Sequence, residues 1–199
     1  GRNGQQTVDH EASKFNQKPK LIRQLLHGKD KTELVEPHGA LFWKRKLNVN
    51  IVDEIWLMAR KVTKEVRLRE LQWKINHNIY PTNILLQKMK VVDSNKCNYC
   101  VDEIDFIEHF FFYCQTVQPL WVYVEKTVAA NVGKRVKFTI ENVLFGIFEN
   151  YFSSKDLLYI NHLILVAKMS ISMKKKTMSV IPLQLIFDEN VRLRLTKNQ

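Results

Sequence analysis

The chain has 199 residues, 45% of them hydrophobic and 11% aromatic, enough apolar material for one medium domain or two small ones. That composition excludes a disordered tail. Its 31 Lys and Arg against 20 Asp and Glu leave a net charge of +11 and a pI near 9.6, which points to a polyanionic partner, nucleic acid before membrane, although charge alone is equally compatible with solubility.

Residues 1–37 are polar, punctuated by Gly and Pro, and read as a linker with one short helix around 20–27. The start without Met suggests a piece of something longer. From Asp53 the pattern turns helical: Ile55, Met58, Ala59, Val62 and Val66 line one face at i, i+3, i+4 and i+7. Leu68, Leu71 and Ile75 fall on another face, so a break near Thr63, a plausible N-cap, is expected between helices at about 53–62 and 64–78. Pro81 and Thr82 open a third helix, with Ile84, Leu85 and Met89 inward. After the cysteine segment, Pro119 to Val128 forms a helix carrying Leu120, Trp121, Val124 and Val128. Asn142 is expected to cap a short helix through Phe148. Asp156, after Ser153 and Ser154, is expected to cap a long one to about Met173 with Leu157, Ile160, Leu163, Ile164 and Ala167 buried. Lys174, Lys175 and Lys176 sit at its C-terminus, where the helix dipole favours cations. The fold class is mostly α, divided as a 1–37 linker, a basic helical segment 38–96, a zinc segment 97–121 and a C-terminal helical segment 122–199 packing on the one before.

All three cysteines lie between 97 and 114, and no secretory h-region precedes them. An odd count cannot pair fully as disulfides, which implies a reducing compartment, nucleus and/or cytoplasm. The longest apolar stretch, 157–171, is interrupted by Asn161, His162 and Lys168 and is shorter than the roughly 20 residues a membrane span needs. The spacing Cys97-x2-Cys100-x8-His109-x4-Cys114 offers three thiolates and an imidazole, a tetrahedral set that selects one structural Zn2+ with no open position for a substrate. Phe110, Phe111, Phe112 and Tyr113, between the last two ligands, read as packing around the metal rather than as a base-stacking platform.

Charge is distributed unevenly. Residues 1–96 hold 19 basic and 10 acidic side chains, net +9; 97–125 hold none basic and 5 acidic, net −5; 126–199 hold 12 and 5, net +7. The acidic zinc segment is therefore read as a staple, and phosphate contacts are expected from the flanking helices. Arg60, Lys64, Arg67 and Lys74 would share a stripe within about 80° on a helical projection; with Lys88, Lys90 and Lys174, Lys175 and Lys176 they make the expected nucleic-acid footprint.

The run Leu71-Gln72-Trp73-Lys74-Ile75-Asn76-His77-Asn78-Ile79-Tyr80-Pro81-Thr82-Asn83 resembles the segment just ahead of the zinc-binding region in non-LTR (LINE-type) retrotransposon reverse transcriptases. Glu108-His109-Phe110-Phe111-Phe112-Tyr113-Cys114 is similar to that family's closing pattern, Trp121 to its following tryptophan, and Val143-Leu144-Phe145-Gly146 to the region after. The resemblance implies a C-terminal, non-catalytic module of a larger polyprotein. Its partners would be the remainder of that polyprotein and RNA and/or DNA during target-primed reverse transcription, with Cys97, Cys100, His109 and Cys114 as ligands. His77, often present in the family, reads as a packing or capping residue rather than a fifth ligand.

No polymerase or hydrolase chemistry is written in the chain. There is no Asp-Asp pair, and Asp53-Glu54, Asp102-Glu103 and Asp188-Glu189 lack palm-like strand context. There is no Pro-Asp-x-Asp motif, no glycine-rich phosphate loop and no G-x-S-x-G elbow. A zinc deaminase would need H-x-E and a Pro before the first Cys, where Lys96 stands instead. A protein-interaction module packing on the polymerase thumb and a decayed retroelement fragment remain alternatives at this level.

Overall fold

Two apolar faces that one straight helix could not bury together are separated at Thr63, whose backbone is extended (φ −148°, ψ 150°). The computed structural model describes residues 37–196 apart from 51 and 101; the short helix expected around 20–27 lies outside them. The helices are α1 (His38–Leu47), α2 (Asp53–Val62), α3 (Val66–Asn76), α4 (Asn83–Lys88), α5 (Gln118–Val132), α6 (Ile140–Phe145), α7 (Ser154–Thr177) and α8 (Leu183–Thr196), with a π-helical turn at His109–Tyr113. The molecule is mostly α; among the described residues there is no strand, only an isolated bridge between Lys96 and Ile104.

Several sequence expectations shift by a turn, each for a local reason. Thr63 closes α2 instead of capping α3: its N–H donates to Ala59 O, and its hydroxyl accepts from Glu65 N at 3.1 Å, a hydroxyl turn that delays the next helix to Val66. Val66, assigned to the buried face, is 72% exposed because the break rotates it outward. Met89 is likewise exposed, since α4 ends at Lys88 before its face returns to the core. Asn142 and Asp156 are each the third residue of a capping box, with Thr139 and Ser153 as the caps. The short helix ends at Phe145, where Gly146 leaves helical geometry with φ 98°. Helices α1 and α8 fall in the segments read as helical, 38–96 and 122–199, but the pattern gives neither of them bounds. The core side of α1 is only Gly39, Ala40 and Trp43, and Asn190 breaks the buried stripe of Leu183 and Phe187 in α8.

Helix α7 is the centre: Ile160, Leu163, Ile164, Leu165, Val166, Ala167 and Ile171 are all buried, with α2, α3, α5 and α8 packed around it. Trp43 fills the space beside α3, donating its indole N–H to Ile75 O at 3.1 Å. α1 comes this close only because residue 39 has no side chain; a Cβ there would stand 2.3 Å from Asn76 O and 2.5 Å from His77 Cα.

A chain of buried polar groups crosses this core. Lys168, wholly buried, donates to Gln72 Oε1 and, at 3.2 Å, to Leu144 O. Gln72 Nε2 donates to Leu144 O and to Asn76 Oδ1, both at 2.7 Å. Asn161 brackets Ile147, accepting from its N–H at 2.7 Å and donating to its carbonyl at 2.9 Å. These bonds fix the register of α3, α6 and α7, which apolar packing alone leaves looser. Among the described residues no helix is long and apolar enough to cross a membrane.

Candidate metal centre

Two local structures bring the expected ligands together. The first is a knuckle: Cys97 N donates to Glu103 O at 2.8 Å beside the Lys96–Ile104 bridge, so the chain doubles back around Cys100. Tyr99 N donates to Cys97 Sγ at 3.5 Å, a contact that favours thiolate. The second is the π-helical turn. On an α-helix, residues five apart point about 140° away from each other. Here Cys114 N donates to His109 O at 3.0 Å, an i→i+5 closure that widens the turn and swings both side chains to one side.

The ligand atoms of Cys97, Cys100, His109 and Cys114 all lie within 4.8 Å of one another. Cys114 Sγ is 3.5 Å from Cys100 Sγ and 3.9 Å from Cys97 Sγ. Tetrahedral Zn–S bonds of about 2.3 Å place sulfurs roughly 3.8 Å apart, whereas a disulfide needs about 2.05 Å. His109 is buried, and its Nε2 has no hydrogen-bond partner, an orphan that a metal bond satisfies. Three sulfurs and an imidazole fit one structural zinc ion and fill its coordination shell. Between the two thiols a proton is shared unequally. The hydrogen bond from Cys97 draws Cys114 down to about 7, while that bond and burial push Cys97 up to about 12. A dication replaces the proton and takes both as thiolates.

Around the ligands stands a shell that sequence reading missed. Asp105 is buried; it accepts from Asn83 N through Oδ2 at 3.0 Å and pairs through Oδ1 with Lys175 Nζ at 3.5 Å. Lys175 Nζ also lies 3.8 Å from Cys97 Sγ and 4.2 Å from the Phe110 ring centroid. Lys46 pairs with the buried Glu108 at 3.6 Å. The two buried acids of the segment are thus met by one lysine from α1 and one from α7, while the exposed Asp102 pairs with Lys96 at 3.6 Å. Trp121 Nε1 donates to Phe111 O at 2.7 Å, tying α5 to the turn. Phe110 and Phe111 are buried against Tyr80, in line with the packing role expected of them, while Tyr113 is exposed.

Lys175→Met keeps the packed stem and removes the charge beside the thiolate. It is expected to weaken zinc affinity about tenfold, as loss of an outer-shell partner commonly does. Competition with a chromophoric chelator reads this directly, and an unchanged affinity would show that the ammonium is incidental to the metal.

The basic residues expected to meet nucleic acid divide. Arg60, Lys64 and Arg67 line one groove of about 770 Å³ together with Lys61, His162 and Arg194. Arg67, Lys74 and Lys176 line an adjoining groove of about 340 Å³. Lys74 is paired with Glu70 at 2.7 Å, and that hydrogen bond holds the Glu70 carboxyl below its ordinary range. Lys88 and Lys90 are exposed at the end of α4 and line neither groove. Lys174 and Lys175 depart from the expectation, because both ammonium groups point inward. Lys174 donates to Ser179 O and Ile181 O at 2.7 and 2.8 Å, closing the end of α7, and Lys175 belongs to the zinc shell. Arg194, missed because nothing in the sequence ties α8 to α3, holds Glu65 through two bonds of 2.8 and 2.9 Å.

Residues 36–121 match the model of the family described as zinc-binding in reverse transcriptase. The matched stretch contains α1 to α4, all four ligands and the first residues of α5. No curated protein matches the chain.

Proposed function

We propose that the chain is a non-catalytic, zinc-stapled nucleic-acid-binding module of a LINE-type reverse transcriptase, helping the parent polyprotein hold template RNA or target DNA during target-primed reverse transcription. The observation that supports this reading best is the meeting of two basic grooves at Arg67, which gathers Arg60, Lys61, Lys64, Lys74 and Lys176 on one surface. The zinc segment is acidic, and its buried acids are met by lysines from α1 and α7; its part is to hold α4 and the end of α7 in place behind that surface.

A salt titration tests this. Each phosphate contact contributes about −0.9 to the slope of log affinity on log salt for duplex DNA and about −0.7 for single strands. Four or five contacts predict a slope of roughly −3 to −4.5, and Arg67→Glu, at the junction, should flatten it more than Lys88→Glu. A flat curve for the unmodified protein would sink the reading.

A second reading, a module docking on the polymerase itself, draws on an apolar groove of about 290 Å³ lined by Met58, Val62, Ile147, Phe148, Leu157 and Leu158. It requires that charge reversal at Arg60, Lys64 and Arg67 leave partner binding unchanged.

A further inference from the structure

Beside the basic grooves stands an aromatic stack for which the zinc centre has no use. The His77 ring packs, tilted, against both Trp56 on α2 and Trp73 near the end of α3, with centroids 4.8 and 4.3 Å away. His77 Nδ1 is 2.9 Å from Trp73 O and must be the nitrogen carrying the proton, which fixes the ring's tautomer and tilt. Trp43 and Trp121 are buried, with their indole N–H groups donated to carbonyls. Trp73 is different: half of it faces water, and the His77 ring packs against it.

The surroundings carry charge. The helices joined at 63–65 run antiparallel, because Trp56 near the start of α2 meets His77 just past the end of α3. One turn further along α2, the exposed Arg60 therefore stands at the level of Trp73 across the seam. Arg60 also lines the larger groove. A half-exposed indole on the helix next to Arg60, which lines a cationic groove, matches a strand that offers both a π-face and phosphates, which a paired duplex does not.

We infer that Trp73, supported by His77 and Trp56, is the stacking platform for an unpaired base of a single-stranded nucleic acid whose phosphates follow the groove from Arg60 towards Arg67. The inference rests on the nucleic-acid reading above and narrows it to single strands. Such stacking tolerates any base.

The test uses the whole zinc-loaded chain and fluorescently labelled oligothymidylate, compared with an abasic strand of equal length and charge. The unmodified protein should bind the base-bearing strand on the order of tenfold more tightly, with quenching of tryptophan emission. Trp73→Ala should abolish that difference while leaving the salt slope unchanged, and Trp73→Phe should keep most of it. The abasic comparison on unmodified protein needs no variant to fold. Equal affinity for both strands with a steep salt slope would overturn the platform and leave the grooves standing. Absence of salt-dependent binding to either strand would overturn both.

Discussion

Chelating the zinc at neutral pH is expected to melt the region 97–121 and to loosen the core behind it. Structural zinc is worth apparent values of roughly 10–16 kcal/mol in finger peptides, comparable with the whole stability of a domain. Nothing local replaces it. Without the ion the buried imidazole has no partner for Nε2, and the sulfurs of Cys100 and Cys97 crowd that of Cys114 at 3.5 and 3.9 Å. The widened turn that carries Phe110 and Phe111 into the core is anchored by ligands at both its ends. Cys97→Ser should act as chelation does, and His109→Ala should lower the bound zinc measured by metal analysis. Circular dichroism and resistance to protease report the melting. If both survived metal removal intact, the staple would be the wrong description.

Raising the pH from 7 to 9.5 is expected to stabilise the fold by about 3 kcal/mol, through one side chain. Burial lowers the Lys168 ammonium from 10.5 to about 7. Below pH 7 the lysine is charged in both folded and unfolded chains, and the cost of burying that charge is present in full. Between pH 7 and 10.5 the unfolded chain binds the extra proton, so stability must climb with pH across that window. Chemical denaturation at several pH values measures the slope. Lys168→Met should remove it and, near pH 6.5, cost little, because relief from burying an ammonium bonded only to neutral oxygens offsets the loss of a partner for Gln72 Oε1. A pH-independent wild type would mean that Gln72 and the Leu144 carbonyl compensate the charge fully.

How much of this was legible beforehand depends on how local the cause was. The helix Asp53–Val62 and the stripe Leu120, Trp121, Val124 and Val128 follow from side-chain periodicity, a property of adjacent turns. The four ligands follow from spacing and from the chemistry of sulfur and imidazole. The π-helical closure that makes a five-residue separation serve as one face was not readable, since backbone hydrogen bonding of that kind leaves no mark on composition. Nor were the partners of Lys175, 70 residues from Asp105 and 78 from Cys97. A run of three lysines looks uniform in sequence, yet folding sends the first to backbone carbonyls, the second to the metal shell and the third to the outer groove. Charge near a helix end says where a cation is tolerated and not which way it points.

The zinc-binding stretch and the helices that follow it share a single interior. Trp43, Leu68 and Ile75 from the first half are buried in the same cluster as Ile164, Val166 and Ile171 from the second, and position 121 falls inside a helix rather than in a seam. An excised 36–121 fragment would keep every metal ligand and still leave its inner surface facing water. In this molecule the minimal portable unit is larger than the stretch that carries the metal ligands, and recombination or engineering at that stretch's edge would separate two halves of one core.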